Sequence, residues 1–144
     1  MRKLNALLAG GAAALIAGSA CAQSPVQGDW LTKDGGGKVR IAPCGDRLCG
    51  TVVWLKAPLD KATGQPQKDV HNPDPAMRSR SVVGLLLIKD FKAAKEGRWA
   101  GGTIYDPKTG KTYASKMGPN PDGSLKVEGC ISVVCQAQVW TRAR

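Results

Sequence analysis

An all-β fold, a single eight-stranded antiparallel up-and-down barrel with one long irregular loop, is predicted from three features of the sequence. Short alternating and β-branched segments recur between Gly, Pro, Asn and Asp turn signals from residue 28 onward. No stretch carries a sustained 3.6-residue apolar period; "DPAMRSRS" offers one helical turn at most. Eight antiparallel strands in series expose two edges unless the sheet closes, and closure removes both.

Residues 29–33, "DWLTK", run into the glycine turn "DGGG" and then "KVRIAP" at 38–43. A cysteine-flanked bend leads to "CGTVVWLK" at 49–56. After a long gap come "GLLLIKDF" at 84–91 and "RWAGGTIY" at 98–105. The turn "DPKTG" precedes "KTYASKM" at 111–117, and "GPNPDG" precedes "SLKVEGC" at 124–130. The last segment is "CQAQVWTR" at 135–142. Connections this short make sequential neighbours pair as a meander. The glycines after residue 22 serve turns rather than a low-complexity tract.

Residues 1–22 have the form of a secretory signal, and 23–144 that of one barrel domain. Arg2 and Lys3 precede an uncharged Leu/Ala/Gly/Ile run that ends at Ala20-Cys21-Ala22, with small residues where a signal peptidase needs them. The run is shorter than the ~20 residues of a membrane span. Gly18 stands where a lipoprotein signal usually has Leu, so cleavage after Ala22 is expected, with release into the periplasm and no transmembrane segment left.

Cleavage removes Cys21 from the five cysteines and leaves an even set, Cys44, Cys49, Cys130 and Cys135. In an oxidising compartment an even set reads as disulfides. Two C-x4-C pairs lie at the edge of structural zinc spacing, but His71 is the single histidine and no further ligand cluster supports a metal. Four intervening residues also depart from the C-x-x-C of a redox exchanger. No metal and no cofactor is therefore expected. With Arg2 and Lys3 removed, the charge is about +8. Outside the cytoplasm that balance points to anionic envelope surfaces, not to nucleic acid. It also disfavours inhibition of a basic lysozyme, which would be repelled.

Connectivity assigns each loop to a rim. In an up-and-down barrel the loops after strands 1, 3, 5 and 7 share one rim. The others share the second rim with both chain ends of the barrel. Closure thus brings Gly28 and Trp30 beside Arg142, so that the guanidinium can stack on the indole. Cys44–Cys49 falls at the rim of the termini and Cys130–Cys135 at the opposite one. Strands of about eight residues separate the two pairs by over ~20 Å, whereas a disulfide needs Cα atoms within about 7 Å. Each hairpin therefore pairs its own two cysteines.

Segment 56–83 stands apart, with Pro58, Pro66, Pro73 and Pro75 and little that suits a central strand. It lands on the rim away from the termini. There Asn72, Asp74, Arg78 and Arg80, beside His71, admit two readings. One is an anion-recognising lid, because arginine forks suit carboxylate or phosphate. The other is a self-satisfied loop, with Asn72 and Asp74 forming side-chain turns and an arginine pairing Asp74. Trp54 is in phase with Val52, Val39 and Ile41 and is expected to point inward; Tyr105 and Tyr113 flank the "DPKTG" turn at the same rim. These aromatics either bind an apolar ligand with a polar tip or fill the barrel.

The Gly-x-Trp opening and terminal Arg resemble the closed-end signature of lipocalin-like barrels. A fuller resemblance spans nearly all of the chain after the leader. "GDWLTKDGGGKVRIAPCGDRLCGTVVWLKAP", "HNPDPAMRSRSVVGLLLI", "WAGGTIYDPKTGKTYASKM" and the closing "VWTR" resemble the exported bacterial family catalogued as domain of unknown function 2147. The resemblance implies a periplasmic lipocalin-like barrel and carries no catalytic residue with it. It also implies that the second cysteine pair belongs to a subgroup, since many relatives have a glycine-rich stretch there.

The functional expectation is a small lipid-like or anionic ligand at the lidded rim, held by Trp54, Asn72, Asp74, Arg78, Arg80, Tyr105 and Tyr113. The alternative is a filled barrel acting through its basic surface, as a stabiliser or partner-binding module of the envelope. Catalysis, a hydrolase for instance, has less support: His71 lies in a proline-rich loop with no nucleophile motif beside it.

Overall fold

Turn chemistry brackets each alternating segment, and eight strands form between the turns. The computed structural model describes residues 13–15, 17–18 and 23–144. The expected leader, with Cys21 and the cleavage point at Ala22, falls largely outside them. The strands are β1 Gly28–Leu31, β2 Gly37–Cys44, β3 Arg47–Leu55, β4 Leu86–Ala93, β5 Trp99–Asp106, β6 Lys111–Pro119, β7 Leu125–Ile131 and β8 Val134–Arg142. All neighbours pair antiparallel, and β8 returns to β1 through Trp30↔Arg142 and Leu31↔Thr141 to close the barrel. No helix among the described residues is long and apolar enough to cross a membrane.

Large side chains fill the end of the barrel that holds the termini. Trp30, Ile41, Leu48, Ile88, Phe91 and Leu125 are fully buried there, with Met117 and Trp140 beside them. Gly102 lets the Phe91 ring lie flat across β5, where any β-carbon would overlap it. Residues 24–27 plug the base: Val26 is fully buried, its carbonyl accepts from Trp30 Nε1 at 2.9 Å, and Trp99 Nε1 donates to Ser24 Oγ. Arg142 sets its guanidinium 4.0 Å from the Trp30 ring centroid and donates to the carbonyls of Gln27 and Pro25. Gly28, at φ 120°, leaves room for that guanidinium; a methyl group in its place would collide with it. The terminal Trp–Arg contact expected from closure is thus present.

Both cysteine pairs stand at disulfide distance on the outward side of their hairpins. Cα–Cα separations are 5.8 Å for Cys44–Cys49 and 4.0 Å for Cys130–Cys135. The latter two face each other directly across β7 and β8.

Trp54 does not point inward. The β2–β3 register runs Lys38↔Trp54 and then Val39↔Val52, so Val53 is an extra residue in β3. A bulge of this kind breaks the two-residue alternation. Beyond it Leu55 turns to the interior, while Trp54 is 40 % exposed with the Lys38 ammonium 5.1 Å from its ring centroid. Strand β4 also begins later than the sequence pattern predicts. Gly84, at φ 98°, turns the chain so that its N–H and the Leu85 carbonyl bond the Val52 backbone before the regular ladder starts.

Candidate functional site: the open half of the barrel

Above the filled base, the inner positions change character. On β8 the inward series above Trp140 is Gln138 and then Gln136; facing it on β7 are Val127 and Gly129. Val39, Val52, Leu55 and Ile104 supply apolar wall, with Tyr105 and Tyr113 beside them. Small or polar side chains at these positions leave a cavity of 760 Å³ that reaches the rim at Thr32, Lys33, Asp34 and Lys108. Trp140 is its floor.

The rim is tied across its own opening. The β1–β2 loop and the β5–β6 turn lie half-way round the ring from each other, yet Lys108 Nζ sits 3.0 Å from Asp34 Oδ2. Each end is mounted on a rigid turn. Asp34 Oδ1 accepts from the Gly36 N–H and the Thr32 hydroxyl, and Asp106 accepts from the Lys108 N–H and the Thr109 hydroxyl. The Gly36 N–H, then Lys108 and Thr32, hold the Asp34 carboxyl well below the usual carboxylate range.

The long segment between β3 and β4 packs beside this opening instead of covering it; of its residues only Val82 lines the cavity. Val82 and Leu85 join Val52 in a second apolar cluster against Leu55, Leu87 and Tyr105. Asp69 is fully buried and accepts from Tyr105 Oη at 2.5 Å, Asn72 Nδ2 at 2.8 Å and Arg80 Nη2 at 3.3 Å. Burial, then the Asp69 hydrogen bond and charge, pushes the Tyr105 hydroxyl up to about 12. Farther along, the His71 carbonyl rests against Gly110, which at φ 70° has no β-carbon to obstruct it.

The expected ligand residues divide accordingly. Tyr105 and Tyr113 line the cavity. Asn72 and Asp74 form side-chain turns, to the Asp74 and Ala76 N–H groups respectively. Arg78 Nε donates to the Asn72 carbonyl, and Arg80 pairs with Asp69, not with the Asp74 that lies nearer in sequence. Neither arginine nor Trp54 is among the lining residues. Sequence reasoning misses Gln136, Gln138, Leu55 and Asp69. The glutamines carry a usable signal, since they alternate upward from a core tryptophan on a strand whose odd positions face out. Asp69 carries none, because its burial depends on a tyrosine from β5. Among the described residues no group of three or more His, Cys, Asp or Glu side chains stands together.

A protein of Helicobacter pylori, HP1028, described as belonging to the lipocalin family, has a similar structure. The TM-score is 0.70 at 21 % identity, over 83 % of each chain. That likeness shows the fold. No curated protein matches the sequence. Residues 28–142, from the first residue of β1 to the last of β8, match the family described as uncharacterized proteins conserved in bacteria, DUF2147. The chain is a member of that bacterial family, folded as a lipocalin-like barrel.

Proposed function

We propose that the protein is an envelope binding protein, exported and cut after Ala22, that holds a small, partly apolar molecule with an anionic end. The 760 Å³ cavity carries this reading, because ligand pockets usually measure about 300–1,000 Å³. Eight-stranded barrels can be filled by their own side chains, which is what the alternative surface-acting role would need. Gln136, Gln138 and Tyr113 offer amide and hydroxyl groups to a bound molecule in an otherwise apolar chamber. Lys33 and Lys108 at the rim are better placed for its anionic end than Arg78 and Arg80, which hold the long segment together.

Tryptophan emission titrated with fatty acids and phospholipids tests the proposal. Binding should perturb Trp140, so Trp140→Phe should remove the signal and Trp54→Phe should retain it. Gly129→Val should lower affinity roughly tenfold or more. A β-carbon there meets Tyr113 and Ile104 at ordinary contact distances of 3.6–3.7 Å, so the strand accepts it while the chamber narrows. Silence toward every panel member, or unaltered affinity in Gly129→Val, refutes cavity binding. For export, protein recovered from a periplasmic extract should begin at Gln23; an intact Met1 in the cytoplasm contradicts it.

A further inference from the structure

The β7–β8 hairpin ends in an apolar tip that faces solvent. Ile131, Val133 and Val134 are 70 %, 92 % and 69 % exposed, although β-branched residues of this size ordinarily lie inside. The tip is also stiff. Its turn is two residues long, with Ser132 at φ 53°, and the facing Cys130 and Cys135 sit directly beneath it.

Its surroundings are basic. Flanking the hairpin in the strand order are the β1–β2 loop, with Lys33, and the β5–β6 turn, with Lys108 and then Lys111 at the start of β6. Lys33 and Lys111 have no carboxylate partner among the described residues. Against these three lysines stand two carboxylates, Asp34 paired with Lys108 and Asp106 held in its own turn, so the rim beside the tip keeps an excess of one positive charge. Exposed aliphatic groups flanked by two unpaired lysines match the boundary between acyl chains and anionic headgroups.

We propose that the open rim docks on an anionic lipid bilayer, with Ile131, Val133 and Val134 inserted among the headgroups and Lys33 and Lys111 on lipid phosphates. Ile131 and Val134 also line the cavity, so the docked tip joins the chamber wall to the bilayer. An apolar molecule then crosses without traversing water. Docking goes beyond the cavity reading and is separable from it. Gly129→Val should keep vesicle binding while losing the fatty acid.

The experiment uses the purified full chain with vesicles of phosphatidylglycerol and phosphatidylethanolamine, and with neutral phosphatidylcholine vesicles. An indole introduced by Val133→Trp reports on the tip itself, apart from anything the apolar N-terminus does. Its emission should shift to the blue and be quenched by brominated phosphatidylglycerol. Val133→Asp, at a fully solvated turn position, should weaken binding to anionic vesicles roughly tenfold, and Lys33→Glu with Lys111→Glu should do the same. High salt should weaken the wild type and spare the charge-reversed variant. Docking is overturned if the introduced indole stays unquenched, or if Val133→Asp binds as the wild type does. Sedimentation in which Val133→Asp abolishes self-association, with no vesicle binding by either protein, assigns the tip to a second copy and overturns it equally.

Discussion

Arg142 shows how one side chain can hold a closure together. It stacks on Trp30 and reaches two carbonyls of the segment that plugs the base, linking β8, β1 and the residues before β1. Arg142→Ala should therefore cost about 1 kcal/mol or more, through lost stacking and packing. Denaturant melts measure this, and the slope should stay constant while the midpoint falls. This pair is legible in the sequence because strand count alone brings the two ends together. Trp54 escapes the same reasoning for an equally local cause. Alternation counted from Val52 holds only while the ladder is regular, and the added Val53 reverses the facing of the residues after it. Nothing in "TVVWL" announces a bulge.

At the scale of elements, every strand begins within two residues of its alternating segment, because glycine and proline turns delimit them. Segment 56–85 is the opposite case. Its anchors are tertiary, with Asp69 on Tyr105 and His71 on Gly110, so no spacing within the loop reveals them. The Tyr105 hydroxyl must stay protonated to donate to Asp69. Its folded value of about 12 lies above the ordinary 10, so the folded protein keeps this proton where the unfolded chain loses it. The stabilisation is therefore complete below pH 10 and declines as pH rises toward 12. Tyr105→Phe should be less stable than the wild type at neutral pH, and the gap should close across that window. Thermal melts at a series of alkaline pH values check both the sign and the range.

Across the whole molecule, the barrel is two compartments in series, a packed base and a hollow upper half. Periodicity made the architecture readable from sequence, but hollowness depends on how inner side chains from opposite strands sum in volume. Only the glutamines of β8 hint at it. The Lys108–Asp34 contact belongs to this scale, since it joins loops on opposite sides of the rim. Both side chains are well exposed, so the pair should contribute at most about 1 kcal/mol to stability. Asp34→Asn, which keeps the oxygen that accepts from Thr32 and Gly36, should leave the melting midpoint nearly unchanged and raise the rates of fatty-acid uptake and release together, with little change in affinity. Stopped-flow mixing measures both rates, and high salt should bring the wild type toward the variant.

That same contact has a consequence for molecular shape. A crossbar leaves two side-by-side ports, one edged by Val82 and the other by Ile131 and Val134. Slender chains can thread either port, and a forked amphiphile can straddle the bar with a tail down each. A rigid fused-ring molecule must wait for the bar to lift. The wild type should therefore load single acyl chains faster than sterol-sized rings, and Asp34→Asn should erase most of that preference.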